Sequence, residues 1–316
     1  SCIGLELMIR FIIILVGFNF ADYLGGFAGS NFRYSTNARD MALANTLVSE
    51  YNEGFNAFSN PALLSLIKSN EIGASQFAMS LDRYIQTFSF SQKLADNTGA
   101  SISFFNSGVS KIDGRDLYNS PTGSFSSNEG YLIVSFGTRF NQKIDFGINI
   151  KTIFNSIDDF SANGISTDIG FIYNISNNMK LSFTVDNLWA EYTWEGLSES
   201  SASFKEKLPS VSSVGLSYHI NDTMKSLTKI DYVNPEGLHL FRLSSGFEVV
   251  RDAFTWRLGV LQNNGINDNS IKPKLFLGAG LNVGTFRDHI VRVDYCIDFG
   301  RENEGINNLF SLSFIK

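Results

Sequence analysis

The sequence predicts an all-β fold: a transmembrane antiparallel β-barrel of about 14 strands with a small N-terminal helical plug. Apolar and polar residues alternate in one segment after another from Glu71 to the end of the chain. The links between these segments are alternately tight and long. Outside the N-terminal region, no stretch reaches the about 18 continuous apolar residues expected of a spanning helix.

The segment 167–189 illustrates the alternation. Ile169 and Phe171 before a turn, and Phe183 and Val185 after it, alternate with polar or small residues. Period two on both sides of an Asn-rich turn predicts a β-hairpin. Each arm has about nine to eleven residues, which is the length with which a tilted strand crosses a bilayer.

About fourteen segments of this kind follow one another, an even number, as in bacterial single-chain barrels. Their approximate bounds are 71–80, 84–92, 98–108, 129–140, 143–154, 165–175, 179–188, 211–220, 225–233, 239–249, 254–262, 274–283, 289–299 and 307–315.

Alternation alone fits either a water-soluble sandwich with its apolar faces inside or a membrane barrel with its apolar faces outside. The links favour the barrel, because a sandwich has no reason to alternate short and long connections. The short, even-numbered links lie around Asp96, Asn141, Asn177, Asn221, Asp252 and Arg287. Most odd-numbered links are long, at 109–128, 156–164, 189–210, 263–273 and 300–306, although the first, near Asp82, is short.

In an outer-membrane barrel the short turns lie in the periplasm and the long loops outside. For the 167–189 hairpin, this orientation predicts a periplasmic turn at Asn177 and Asn178 and places Trp189 at the outer interface. The side chains expected to face lipid are Ile169, Phe171, Phe183 and Val185, and those expected to face the lumen are Asp168, Thr184 and Asp186.

The N-terminal region has the layout of a secretory signal peptide. Arg10 precedes an apolar run at 11–18, and small and polar residues follow near Ala21. We expect residues 1–21 to be removed on export; a buried strand or helix at the start of the domain is the alternative. Export combined with amphipathic strands predicts that the chain lies in the outer membrane of a Gram-negative bacterium, surrounded by its lipid.

Residues 22–70 differ from the strands that follow them. The stretch 38–48 is rich in helix formers, and Pro61 can begin a short helix through Ile67. We expect residues 22–70 to form a plug within the barrel, or a cap beneath it, and residues 71–316 to form the barrel. A helical hairpin packed on a sheet is the alternative.

Composition and chemistry argue against several functions. The net charge of -6 disfavours nucleic acid as a partner. The three histidines show no metal-ligand spacing, and Asp288-His289 falls at a link expected on the periplasmic side, away from the outer rim where a catalytic set would converge. Cys296 is alone in the expected mature chain. We therefore expect no enzyme activity, no metal and no cofactor.

Two motifs in the plug region resemble the start of the PorV/PorQ family. They are ARDMALA at 38–44 and, after an acidic stretch, FSNPAL at 58–63. Shorter similarities are IDGRD at 112–116, GINIK at 147–151 and VDNL at 185–188. The chain departs from the family at 45–47, where Asn-Thr-Leu replaces a Gly-rich stretch. Members of this family are outer-membrane barrels related to the FadL type of fatty-acid transporter.

The resemblance implies a non-enzymatic component of the type IX secretion system, which handles or attaches secreted cargo. Its partners would be other secretion-system proteins or the cargo itself. The long loop 189–210 would then be a partner surface with Tyr192, Trp194 and Leu197 as apolar anchors. A belt of aromatic residues at the membrane edge is the alternative reading of these residues.

The FadL likeness implies a different function, the transport of hydrophobic small molecules. In that case the plug would act as a gate. The residues expected to form it are Arg39, Phe58, Asn60 and Pro61.

Overall fold

The computed structural model describes residues 27–195, 204–234, 240–264, 273–286, 289–299 and 305–316. Fourteen long strands form one closed antiparallel barrel, which confirms the predicted fold. In chain order the barrel strands are β1 (Glu71–Ala78), β2 (Arg83–Ala95), β3 (Thr98–Arg115), β4 (Pro121–Asn141), β5 (Ile144–Ile157), β6 (Phe160–Ser176), β7 (Met179–Leu188), β10 (Ser210–Asn221), β11 (Met224–Asn234), β12 (Leu240–Arg251), β13 (Phe254–Asn264), β14 (Lys274–Phe286), β15 (His289–Asp298) and β16 (Asn307–Ile315). The barrel closes because β1 pairs with both β2 and β16, while β5 pairs with both β4 and β6.

Two further strands, β8 (Glu191–Glu195) and β9 (Phe204–Lys207), form a hairpin at the outer end of the barrel. Strand β6 begins at Phe160, well before its first pairing with β7 at Thr167. The edge of β6 that β7 leaves free pairs instead with β8, with Ala162 opposite Trp194. This outer hairpin, β8–β9, thus occupies a strand edge that would otherwise present unpaired backbone groups.

Tight turns lie at one end of the barrel, at 96–97, 142–143, 177–178, 222–223 and 252–253. At the other end, two expected long loops prove to be paired strand. The stretch 109–128 is mostly the far part of β3 and β4, and 156–164 contains only a two-residue turn at 158–159. These strand ends rise beyond the apolar band, so their sequence lacks the regular apolar alternation that marks the rest.

Residues 27–70, here called the luminal segment, lie inside the barrel and pack against its inward-facing side chains. Their helical elements are short: 3₁₀ helices at Ser30–Arg33 and Pro61–Leu66, and α-helices at Ala38–Ala42 and Asn56–Ser59. The expected helix over 38–48 stops at Ala42 because Ala44 and Asn45 adopt left-handed φ angles of 57° and 63°. No helix among the described residues is both long and apolar enough to span a membrane.

The barrel has an apolar outside and a polar inside. Every barrel strand carries at least one exposed, outward-facing large apolar side chain: Ile72, Phe88, Phe104, Leu132, Ile150, Phe171, Phe183, Val214, Ile230, Phe241, Leu258, Leu277, Val293 and Phe310. Asp168 and Thr184 are buried within, as the sequence predicts. An apolar band around a closed, even-stranded barrel is the arrangement of proteins in the Gram-negative outer membrane, where this chain lies.

Candidate functional site

The luminal segment crosses the barrel from its outer end to its periplasmic end. Near the outer end, Glu129 of β4 accepts hydrogen bonds from the backbone of Gly29 (2.9 Å) and from the Asn31 side chain (3.1 Å). The Tyr192 hydroxyl of the outer hairpin donates to the same carboxylate at 3.1 Å. One wall carboxylate therefore holds both the start of the luminal segment and the hairpin that covers it.

Deeper in the barrel, Arg39 anchors the luminal segment to the wall. Its guanidinium donates twice to the Glu248 carboxylate, at 2.9 Å each, and once to the Tyr51 carbonyl at 2.7 Å. Arg257 approaches Glu248 from within the wall at 2.7 Å. Arg39 and Glu248 are both buried, so each is costly to leave without the other; Arg257 would still pair with Glu248 if Arg39 were removed, and Glu53, 3.6 Å from Arg39, would remain near Arg39 if Glu248 were removed.

Two acidic residues of the luminal segment extend this ion network. Glu53 pairs with Arg292 at 2.7 Å. Glu50 lies 2.8 Å from the His219 ring and 2.9 Å from Lys225, with Lys180 at 3.6 Å. Burial disfavours the charged form of Glu50, but the His219 hydrogen bond and the lysine charges outweigh it and hold its pKa well below the usual range. Glu50 is therefore ionised at neutral pH and fixes the segment to β7, β10 and β11.

The opposite wall meets the luminal segment through glycine. Gly99, Gly137, Gly147 and Gly170 are register partners in turn across β3, β4, β5 and β6. This glycine strip is a flat floor for the chain at Asn60–Leu64: a Cβ at Gly147 would lie 2.2 Å from the Pro61 carbonyl carbon, and one at Gly170 would lie 1.9 Å from Asn60 Oδ1. Any side chain in the strip would force the segment away from the wall.

A second close contact lies across the lumen, on β12, β13 and β14. Cβ atoms added at Gly246, Gly259 and Gly278 would meet residues 42–44 at distances of 2.3–2.9 Å. The segment is thus held between two glycine-lined walls, at 42–44 on one side and at 60–64 on the other. Together with the ion network, these contacts close the periplasmic half of the lumen.

A cavity of about 140 Å³, here called the outer cavity, lies between this closure and the outer end of the barrel. Part of the lining is aromatic: Phe32 and Phe58 pack against the Tyr131 ring, with centroids 4.8 and 6.3 Å away. The lining also carries charged groups, and one of them, Lys151, lies 5.1 Å from the centroid of the Tyr131 ring; they are Arg33, Asp40, Lys151, Asp186, Lys229 and Arg242. The cavity therefore offers aromatic and charged groups side by side to a small molecule.

The structure places all four expected gate residues in the lumen, but at separate points of the segment. Arg39 makes the wall anchor, Phe58 lines the outer cavity, and Pro61 rests on the glycine strip. The Asn60 side chain accepts from the Ala62 backbone at 2.9 Å and donates to the Val48 carbonyl at 2.8 Å. Asn60 therefore ties the two halves of the segment to each other.

The expected partner loop has a different character from that predicted. Tyr192 is fully buried rather than exposed, because its ring packs inside the outer hairpin and its hydroxyl reaches Glu129. Trp194 is half-buried and donates to Glu206 at 3.0 Å. Leu197 lies outside the described residues. Tyr192 and Trp194 thus make contacts within the protein, whereas Phe204 of the same hairpin is exposed.

The sequence does not predict which wall residues receive the segment: Glu129, Glu248 and the glycine strip. A Glu on the polar face of a predicted strand, as at Glu248, is the available signal for the two acids, but their partners lie far away in sequence. The glycines stand at the same depth only once strand register is known. Within the described part of the chain, no group of His, Cys, Asp and Glu is arranged to hold a metal.

No protein-family model and no curated protein matches this chain. Solved structures match its fold. The toluene transporter TodX of Pseudomonas putida aligns with a TM-score of 0.64 at 14% identity, over 89% of this chain and 99% of the transporter. A Pseudomonas aeruginosa FadL homologue gives 0.62 at 12% over 89% and 98%, and the Ralstonia pickettii toluene transporter TbuX gives 0.60 at 11% over the same shares. The fold is therefore that of the FadL-type outer-membrane barrels.

Proposed function

We propose that this chain is a non-enzymatic outer-membrane channel for small hydrophobic molecules, gated by its own luminal segment. The observation that carries the proposal is the outer cavity: a space lined by both aromatic and charged groups in a FadL-type barrel, with residues 38–66 packed against the wall on its periplasmic side. Two proteins that share the fold are described as transporters of toluene, which is a small hydrophobic molecule.

In this proposal a molecule from outside reaches the outer cavity and waits above the closure. Arg39, Asn60 and Pro61 hold the closure, and Phe58 connects it to the cavity. Passage requires the segment to leave the glycine strip or the Glu248 anchor, which frees a path to the periplasm. A ligand favours this movement of the segment only if it binds the displaced segment's state more tightly than the closed state.

Uptake by whole cells tests the proposal. Radiolabelled toluene is supplied at low concentration to a Gram-negative host that lacks channels of this kind, with and without the chain in its outer membrane. We expect faster, saturable uptake when the chain is present. Uptake that does not exceed that of the empty-vector cells, although the folded barrel is present in the membrane fraction, would reject the channel.

A role in type IX secretion is the second candidate. It is supported by the PorV/PorQ resemblance at 38–44 and 58–63. It is also supported by the far part of β3 and β4 at 109–128, here called the β3–β4 ribbon, because Leu117 and Tyr118 at its tip are almost fully exposed. The comparisons lend it no support. Co-purification of secretion proteins with the tagged chain, in cells that show no toluene uptake, would favour this role over the channel.

A further inference from the structure

The outer cavity contains buried polar atoms that no group in the protein satisfies. Among the described residues these are Nη1 of Arg33, Nε of Arg242 and Oδ1 of Asn45, all from side chains that line the cavity. A buried N–H without an acceptor is costly and uncommon in folded proteins. Two of the three atoms, Arg33 Nη1 and Arg242 Nε, are donors, and an oxygen atom from outside the protein could accept from them.

The two arginines are held in different ways. Arg242 donates through Nη2 to Asp231 at 3.2 Å, and Asp231 is fixed in turn by Ser213 at 2.7 Å. The Arg33 guanidinium lies against the Tyr34 ring, 5.2 Å from its centroid, and pairs with no carboxylate in the described part of the chain. Arg33 is therefore the cation with the most capacity left for a ligand.

The charges around the cavity are mixed. Lys151 is neutralised by Asp168 at 2.8 Å, and Lys229 shares Asp231 with Arg242, each at 3.2 Å. Asp40 and Asp186 also line the cavity and oppose an anion there. An anionic ligand would therefore be attracted by Arg33 and Arg242 and repelled by Asp40 and Asp186, which gives substitutions at the arginines and at Asp186 effects of opposite sign.

The size of the cavity suits a small ring. Phe32 packs edge-on to Tyr131, with an interplanar angle of 77°. The volume, about 140 Å³, resembles that of an apolar cavity that binds a single benzene ring.

We propose that the outer cavity binds a single-ring aromatic acid, with its carboxylate on Arg33 and Arg242 and its ring against Phe32 and Tyr131. This inference rests on the proposed channel function and narrows it: the cavity takes single-ring aromatic molecules, and an aromatic acid binds there more tightly than a neutral hydrocarbon of equal size.

Binding of radiolabelled benzoate to the purified full chain in detergent, measured by equilibrium dialysis, tests the inference. Toluene and benzamide serve as competitors of similar size without charge. We expect saturable benzoate binding that Arg33→Gln and Arg242→Gln each weaken by about tenfold or more, since each removes a charge-assisted hydrogen bond. Asp186→Asn should strengthen benzoate binding. Arg83→Gln, at an outer-rim arginine that contacts Ser80, is the matched control and should leave it unchanged.

Arg33 belongs to the luminal segment and not to the wall, so its replacement leaves barrel pairing intact; retained heat-modifiable migration on gels checks this for every variant. Absence of benzoate binding, or equal binding by the wild type and Arg33→Gln, would overturn the inference. If toluene enters cells through the chain and benzoate does not bind, the channel stands and the aromatic acid is excluded. If neither enters nor binds, both proposals fail.

Discussion

The glycine strip shows how single residues determine whether the lumen is open. None of its four glycines needs a left-handed backbone, since none has a positive φ. Their common property is space: the luminal segment approaches the wall so closely that even a methyl group would overlap its backbone. The requirement for glycine here is therefore a requirement of the closed state, and it applies to the segment and the wall together.

Gly147→Val tests this contact. The new side chain would overlap Pro61 and Ala62, so the closed state should lose roughly 1–3 kcal/mol, which raises the open fraction roughly 5- to 150-fold. We expect larger ion conductance in planar bilayers from a barrel that still folds. Ala100→Val, a substitution to the same residue on the lipid side of β3, is the control. Unchanged conductance in Gly147→Val would show that the strip does not seat the segment.

At the scale of elements, the sequence is enough to predict the strands of the barrel. It is not enough to predict the elements inside the barrel or at its outer end. Alternation locates all fourteen, because lipid outside and a polar lumen inside impose period two on each strand. It cannot locate β8 and β9, which have only five and four residues. It also overextends the helix at 38–42, since the turn at Ala44 and Asn45 is imposed by contact with the β12–β14 wall.

The same limit applies to the site. The sequence singles out Arg39, Phe58, Asn60 and Pro61 because their motif stands out from the strands around it. It does not single out Glu248 or Glu129, because an acid in a strand is ordinary until its partner is known. Interactions between residues about 100 to 200 positions apart, such as Asn31 with Glu129 and Arg39 with Glu248, depend on the closed topology.

The outer hairpin should act as a cover that must move for a molecule to reach the outer cavity. Asn163 and Thr193 are register partners between β6 and β8, a geometry that a disulfide can bridge. In cells carrying Asn163→Cys with Thr193→Cys, we expect oxidation to reduce toluene uptake and reductant to restore it. The control is Ile112→Cys with Phe125→Cys, which links register partners in the β3–β4 ribbon. If the oxidised and the reduced double-cysteine variant take up toluene equally fast, the hairpin is a fixed part of the wall.

At the scale of the whole molecule, the barrel has two closures with one cavity between them. The outer closure is the β8–β9 hairpin with residues 28–32, joined at Glu129. The inner closure is residues 38–66. Glu248 and two glycine-lined walls hold it, and its own Glu50 pairs with the wall. Both are built from the same chain as the wall. Movement of the inner closure is therefore the event that connects the outer cavity with the periplasm.

The most direct test of this account locks the inner closure in place. Ser217 Oγ of β10 donates to the Ser49 carbonyl at 3.3 Å, so Ser49→Cys with Ser217→Cys changes two neighbouring side chains very little in size and can form a disulfide between the segment and β10. Toluene uptake is measured in whole cells, oxidised and then reduced, with each single-cysteine variant as control. The account predicts that uptake stops when the disulfide forms and returns when it is reduced. If uptake with the disulfide fully formed equals the uptake of the chemically reduced protein, the account is contradicted.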